Sequence, residues 1–250
     1  MPTDFRILFK GYWTPGQVEM VEVPSTLTIA ASTQKLIDDA WTEIGKRTGL
    51  HLFDGPMCRL ESVDQSARPN HLRFTFSRTS YKPFFGTNLT NAHIADTLGE
   101  AALANSLGAS VALLAGDGLL LLGRRSSRVA YYPNRIHPFA GTLEPKDTID
   151  PFNVVYRELA EELSLSRNEI TDVALIGMVS DTTIRQPELV YIARTSLTSH
   201  DIAARLDKQE HDAMWAGTIA EARDMAHEDI LTPIARATIA LLIEATNFSS

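Results

Sequence analysis

Apolar positions along the chain fall into two spacings, and they predict alternating strands and helices. Leu72, Phe74 and Phe76 alternate with Arg73 and Thr75, which predicts a half-buried strand. Residues 6–13 and 17–23 form two short apolar or alternating runs. Thr14-Pro15-Gly16 between them predicts a β-hairpin. In residues 33–49, Leu36, Ile37, Ala40, Trp41 and Ile44 share one helical face, and Gly49 suits a C-cap. A strand is expected over 57–63. Residues 91–108, rich in Ala and Leu, predict a helix leading into a second unit. Residues 111–114 and 119–122 predict a hairpin over Ala115-Gly116-Asp117-Gly118. Strands over 173–179, 188–193 and 213–219, a helix over 199–206 and a last helix over 232–245 complete the pattern.

One stretch, residues 141–165, departs from ordinary patterning. Asp150 suits an N-cap, and Pro151 suits the first helical position. Phe152, Val155, Leu159 and Leu163 then mark one apolar face. Glu158 and Glu162 lie one turn apart beside that face, with Glu161 on the polar flank. Like charges at this spacing cost roughly 0.2–0.5 kcal/mol in an isolated helix. The acids also occupy the last turns, where the helix dipole favours cations. A divalent cation shared with substrate phosphates would reverse both penalties. The competing reading is a solvated glutamate face.

Composition narrows the classes. A chain of 250 residues with 44% apolar residues is long enough for a core without staples. The net charge of −8 argues against nucleic acid or an anionic membrane as main partner. Cys58 is the single cysteine and is expected to be a core thiol. No leader-like start or membrane-length apolar run is visible, so a cytoplasmic location is expected.

Two further clusters suggest chemistry. Residues 79–88 gather Tyr81, Phe84, Gly86, Thr87 and Asn88. These types suit base stacking and hydroxyl recognition, and equally a loop plugged into a core. Residues 123–128 carry Arg124, Arg125 and Arg128, which suit phosphate, or solvent. Arg185, between two predicted strands, is a further substrate-contact candidate. In residues 209–212, Glu210 and Asp212 are acid candidates, and His211 has an ordinary pKa suited to a base.

Gly141, Arg157-Glu158-Leu159, Glu161-Glu162 and Leu165 resemble the Nudix box. Asp147 stands at the box's first glutamate, Asp147 to Arg157 is two residues longer than the pattern, and Ser164 replaces a glycine. Thr79, Ser80, Tyr81, Phe84, Gly86, Thr87 and Asn88, with Phe53 to Pro56 and Arg59-Leu60, resemble the UDP-glucose diphosphatase subgroup of that family. The likeness runs over residues 52–198.

The resemblance implies an α/β protein: a Nudix fold, a mixed β-sheet sandwiched between α-helices, preceded by a smaller α+β recognition domain. The expected division is 1–100 and 101–250. It implies Mg²⁺, or Mn²⁺, held by Glu158, Glu161 and Glu162, with the carbonyl of Gly141 or Ala140 completing the shell. Glu144 matches a glutamate often seen after the box's glycine. Arg157 would fix the glutamates, and Glu210 or Asp212 would serve as a late ligand or base. Tyr81, Phe84, Gly86, Thr87, Asn88, Arg125 and Arg128 would contact substrate. The implied reaction is hydrolysis of a small-molecule nucleotide sugar, with no nucleic acid or membrane partner and with a homodimer as one assembly. Rival expectations are another nucleoside diphosphate derivative (ADP-ribose, a dinucleotide or a CoA derivative) and a non-catalytic binding module.

Overall fold

The computed structural model describes residues 4–46, 52–66, 70–129, 131–208 and 210–247. Its strands are β1 (Phe5–Trp13), β2 (Val18–Glu22), β3 (Pro56–Asp64), β4 (Leu72–Ser80), β5 (Gly108–Leu114), β6 (Leu120–Arg125), β7 (Ile136–His137), β8 (Phe139–Thr142), β9 (Ile170–Asp181), β10 (Pro187–Thr195) and β11 (His211–Gly217). Its α-helices are α1 (Ala31–Gly45), α2 (Tyr81–Phe84), α3 (Ala95–Leu98), α4 (Asn153–Leu163), α5 (Ser199–Ala203), α6 (Ile219–Met225) and α7 (Pro233–Asn247).

The large sheet runs β1-β9-β10-β5-β6-β11, with β8 added beside β5 and β7 beside β6. β10 and β5 are parallel, and the other pairs are antiparallel. β5 is buried along its whole length because the sheet is covered on both faces. Ala109, Val111 and Leu113 point into one core with Phe152 and with Val155, Leu159 and Leu163 of α4. Ala112 and Leu114 point the other way, against Ile234, Leu241 and Leu242 of α7. Each such aliphatic or aromatic side chain contributes about 1.5–3 kcal/mol by leaving water. The expected architecture, a mixed sheet between helices, is what this packing builds.

The small sheet, ordered β2-β4-β3, lies on the α4 side. Its Leu72, Phe74 and Phe76 share the core that α4 enters, so the predicted alternation of β4 is realised. The amide of Cys58 donates to the carbonyl of Leu143 at 2.9 Å, and that of Leu107 to Cys58 at 2.8 Å. β3 is thereby tied to the strand ends that carry the glycine loop. Cys58 is fully buried, and burial pushes its thiol up to about 12, as a core thiol requires.

Three local expectations are corrected. The hairpin over Pro15-Gly16 does not form: β1 pairs with β9, and β2 pairs parallel to β4. Phe9 packs edge-on against Trp13 at 5.7 Å and lies 6.1 Å from Phe74, so long-range apolar packing overrides the local turn signal. β1 thus crosses the expected division of the chain at residue 100. Residues 91–108 are not one helix. They form α3 between two 3₁₀ turns, broken at Gly99 with φ +79°. The stretch read as a loop at 79–88 is the end of β4, α2 and a π-helical turn, Phe85–Leu89.

Candidate active site

The acids sit on the helix that the pattern predicted, which starts two residues later than expected. α4 begins at Asn153 rather than Pro151. The expected cap is corrected with it: Phe152 takes the N-cap position and no side chain caps the helix, while the Asp150 carboxylate accepts from the amide of Phe152 at 3.0 Å in the turn before it. The apolar face is fully buried and carries its flank with it: Glu158 is 6% exposed and Glu162 is 4% exposed. Glu161 points to solvent. Burial pushes the Glu158 carboxyl up to about 7, with Glu161 and Glu210 adding repulsion and Arg157 opposing it. Glu162 is pushed well above the usual range by burial, then by Glu210 and Glu158.

The glycine turn is built around Glu158. A Cβ at Gly141 would lie 1.8 Å from Glu158 Oε1, so no other residue lets the carboxylate rest against β8. The amide of Ala140 donates to Glu162 Oε1 at 3.3 Å. The second oxygen, Oε2, is buried and has no hydrogen-bond partner. It lies 3.3 Å from Nδ1 of His211, yet burial lowers that imidazole to about 4, with Arg125 the next cause, so it is neutral. His211 is therefore no ready proton acceptor at neutral pH.

The departures from the box have distinct fates. Asp147 is buried and faces Arg157. Its carboxylate accepts from Arg157 Nη2 at 3.1 Å and from the amide of Glu144 at 3.0 Å. Arg157 also pairs with Glu158, donates to the carbonyl of Thr142 at 3.0 Å and lies 3.6 Å from Glu161. Asp147 thus buttresses the arginine that holds Glu158. Ser164 takes the left-handed conformation, φ 51°, that a glycine would supply, and the helix still closes by its amide bonding Ala160 at 3.0 Å.

The late loop separates the two acid candidates. Glu210 stands at the rim of a cavity of about 190 Å³ lined by Glu158, Glu161, Glu162, Asp207 and Glu210, acids alone. The protein around it raises its carboxyl above the usual range. Asp212 instead pairs with Arg124 at 2.8 Å on the outside of β11.

The remaining candidates divide. Tyr81, Phe84, Arg125, Gly141 and Glu210 all line one cavity of about 340 Å³. Gly86, Thr87 and Asn88 do not reach it. Gly86 lies against α1, where a Cβ would come within 2.6 Å of Ile37 Cα. Thr87 Oγ1 accepts from the amide of Ala104 at 3.1 Å, and Asn88 Nδ2 donates to the carbonyl of Ile184 at 3.0 Å. Their side chains are occupied in holding the turn. Arg128 bonds the carbonyl of Lys208 at 2.9 Å. Arg185, at φ 53°, pairs with Asp96 and Glu100. Residue patterning passed over Gln186, Glu188 and Tyr131 in the larger cavity, and Asp207 in the smaller. Glu188 did carry a signal, as a lone acid in an apolar strand.

The donor set fits a hard cation: carboxylates only, two of them buried, one with an unbonded oxygen. Among the described residues no three His, Cys, Asp or Glu side chains are already gathered as a cage. Glu158 is turned to Arg157, and side-chain rotation would be needed to complete a shell. Among the described residues no helix is long and apolar enough to cross a membrane.

No family profile matches the chain. The uridine diphosphate glucose pyrophosphatase NUDT22 of Mus musculus is 28% identical over 180 residues, covering 60% of this chain and 58% of that protein. The chain thus spans less than two thirds of that relative's length. The MutT protein of Methanosarcina mazei Go1 is a structural neighbour at 17% identity and TM-score 0.45, covering 56% of this chain and 94% of its own. The Nudix hydrolase RenU of M. smegmatis gives 16%, TM-score 0.44, 58% and 88%. The glycine loop, the glutamate helix and the curated relative agree: the chain resembles the Nudix hydrolases, and within them the UDP-glucose diphosphatase subgroup.

Proposed function

We propose that this protein is a divalent-metal-dependent Nudix hydrolase of the diphosphate linkage in a nucleoside diphosphate sugar, cleaving UDP-glucose to UMP and glucose 1-phosphate. One observation carries the reading: Glu158 and Glu162 are buried side by side, and Oε2 of Glu162 lacks a partner. A buried carboxylate left in that state needs a cation or a proton.

Glu158 and Glu162, with Glu161 and Glu210 at the rim, would hold Mg²⁺ or Mn²⁺. When bound, the cation supplies charge neutralisation of the diphosphate and an acidified water. Arg157 keeps Glu158 against Gly141, and Asp147 keeps Arg157 in place. Arg125, at the wall of the larger cavity, is positioned to take a phosphate oxygen. Glu210 is the better-placed general base, since it lines both cavities and Asp212 faces away. Tyr81 and Phe84 offer flat apolar surface to the substrate. Residues 1–100 act on this reading as a recognition unit that lends β1 to the catalytic sheet. A cytoplasmic location goes with such a substrate.

³¹P NMR with UDP-glucose, with and without Mg²⁺ and beside ADP-ribose, tests this. UMP and glucose 1-phosphate formed only with metal is the expected result. Cleavage of ADP-ribose alone would keep the chemistry and overturn the substrate. No turnover of either, with UDP-glucose still raising the melting temperature, would make the protein a binding module.

A further inference from the structure

The larger cavity has a polar floor that the chemistry above does not use. Gln186 is 4% exposed and Glu188 is 5% exposed, and both line it. They lie side by side over Gly108: a Cβ there would sit 3.0 Å from Glu188 Cγ and 3.1 Å from Gln186 Nε2. The glycine leaves room for both. Ser110 donates its hydroxyl to Glu188 Oε1. Among the described residues the Gln186 amide has no hydrogen-bond partner. A buried primary amide facing a cavity calls for a ligand with its own donor and acceptor.

We propose that Gln186 and Glu188 form a nucleobase subsite that reads the hydrogen-bonding edge of a uracil ring. The inference rests on the nucleotide-sugar reading above. Uracil presents an N–H between two carbonyls. The Gln186 amide can accept from that N–H and donate to one carbonyl. The Glu188 carboxyl, in its protonated form, donates to the other. Burial pushes Glu188 up to about 8, with Asp181 adding to the rise and Arg125 opposing it, so the protonated form is available at neutral pH. Tyr81, Phe84 and Tyr131 supply the flat walls that a planar ring needs. Glu188 of β10 pairs with Gly108 of β5, which pairs with Thr142 of β8, next to Gly141 on which Glu158 rests. Two strand spacings, about 10 Å, match the reach of a nucleotide from its phosphate to the far edge of its base. A hexose phosphate is too short for that reach.

Calorimetric binding of UMP, AMP and glucose 1-phosphate to the full chain tests the subsite apart from turnover. The wild type binds UMP, and AMP at least about tenfold more weakly, as unpaired buried polar groups require. Gln186→Leu and Glu188→Leu each weaken UMP binding about tenfold or more. Glu188→Gln, which keeps a donor and still accepts from Ser110, binds UMP within about twofold of wild type. Circular dichroism melts establish that each variant is folded. If UMP binds this way and UDP-glucose is not hydrolysed, the function fails and the subsite stands. UMP binding unchanged in both leucine variants overturns the subsite. Loss confined to glucose 1-phosphate assigns the floor to the sugar and overturns it as well, as does a folded wild type that binds no UMP.

Discussion

Two regions carry the diagnostic strings, and they use burial in opposite ways. On α4, Glu158 and Glu162 are buried with their charges under-compensated, and one oxygen has no partner. In the turn after β4, Thr87 and Asn88 are as deeply buried, but their side chains are satisfied by main chain and by each other. A buried polar group that is satisfied builds architecture. One that is left wanting marks a place where something else binds. The contrast predicts that substitutions in the first region change activity, and that those in the second change stability.

The largest expected effect is on Glu162. Glu162→Gln should lower Mg²⁺-dependent hydrolysis roughly 10²–10³-fold, the loss of several kcal/mol of charge stabilisation. The same change should raise the melting temperature of the metal-free protein at pH 8. Glu158, with its folded value near 7 and an ordinary value of 4.5, shows the sign and the window. The folded state holds the proton longer than the unfolded chain does. Stability is therefore greatest below about pH 4.5 and falls as pH rises toward 7. Glu162 is displaced in the same direction, so its glutamine variant should show a flatter slope. Hydrolysis assays and melts from pH 5 to 8 check both halves. A variant with full turnover would erase the contrast.

Asn88→Ala sharpens the other side. It strands the carbonyl of Ile184 and the amide of Asn105 in the interior. The expected loss is roughly 3 kcal/mol, or a melting point lower by roughly 6–12 °C. The kcat of the folded enzyme should be unchanged. A large fall in kcat without a fall in stability would return Asn88 to the substrate.

How far each region could be read from sequence follows from the same physics. The glutamate helix was legible because its apolar period and acids are local, although its first residue and cap were not. β4, β9, β10 and α7 were legible for that reason too. The partner of β1 was not, since nothing near Pro15-Gly16 records that Phe9 will meet Phe74, which lies far along the chain beyond α1 and β3. Residue type put Tyr81 and Thr87 in one loop, suited equally to recognition and to the core. Only coordinates show that a helical turn points one into a cavity and the other into the protein. Glu188 was visible as a charge out of place in β10, but its meaning depends on Gly108 and Ser110, about eighty residues earlier.

Ser164 gives the smallest effect and the finest test of the comparison. It ends the glutamate helix, yet its place is set by backbone geometry rather than by chemistry. A non-glycine residue in the left-handed region costs about 1–2 kcal/mol, while glycine loses back up to about 1 kcal/mol through its freer unfolded chain. Ser164→Gly should therefore stabilise by about 0.5–1 kcal/mol, a rise of roughly 2 °C, with kcat and KM unchanged. The helix end is already closed by the amides of Ser164 and Leu165, so no contact to Glu162 should move. A change in KM for Mg²⁺ would mean that this departure tunes the acids as well as the helix end. Proximity to the site would then decide a residue's role more than the state of its hydrogen bonds.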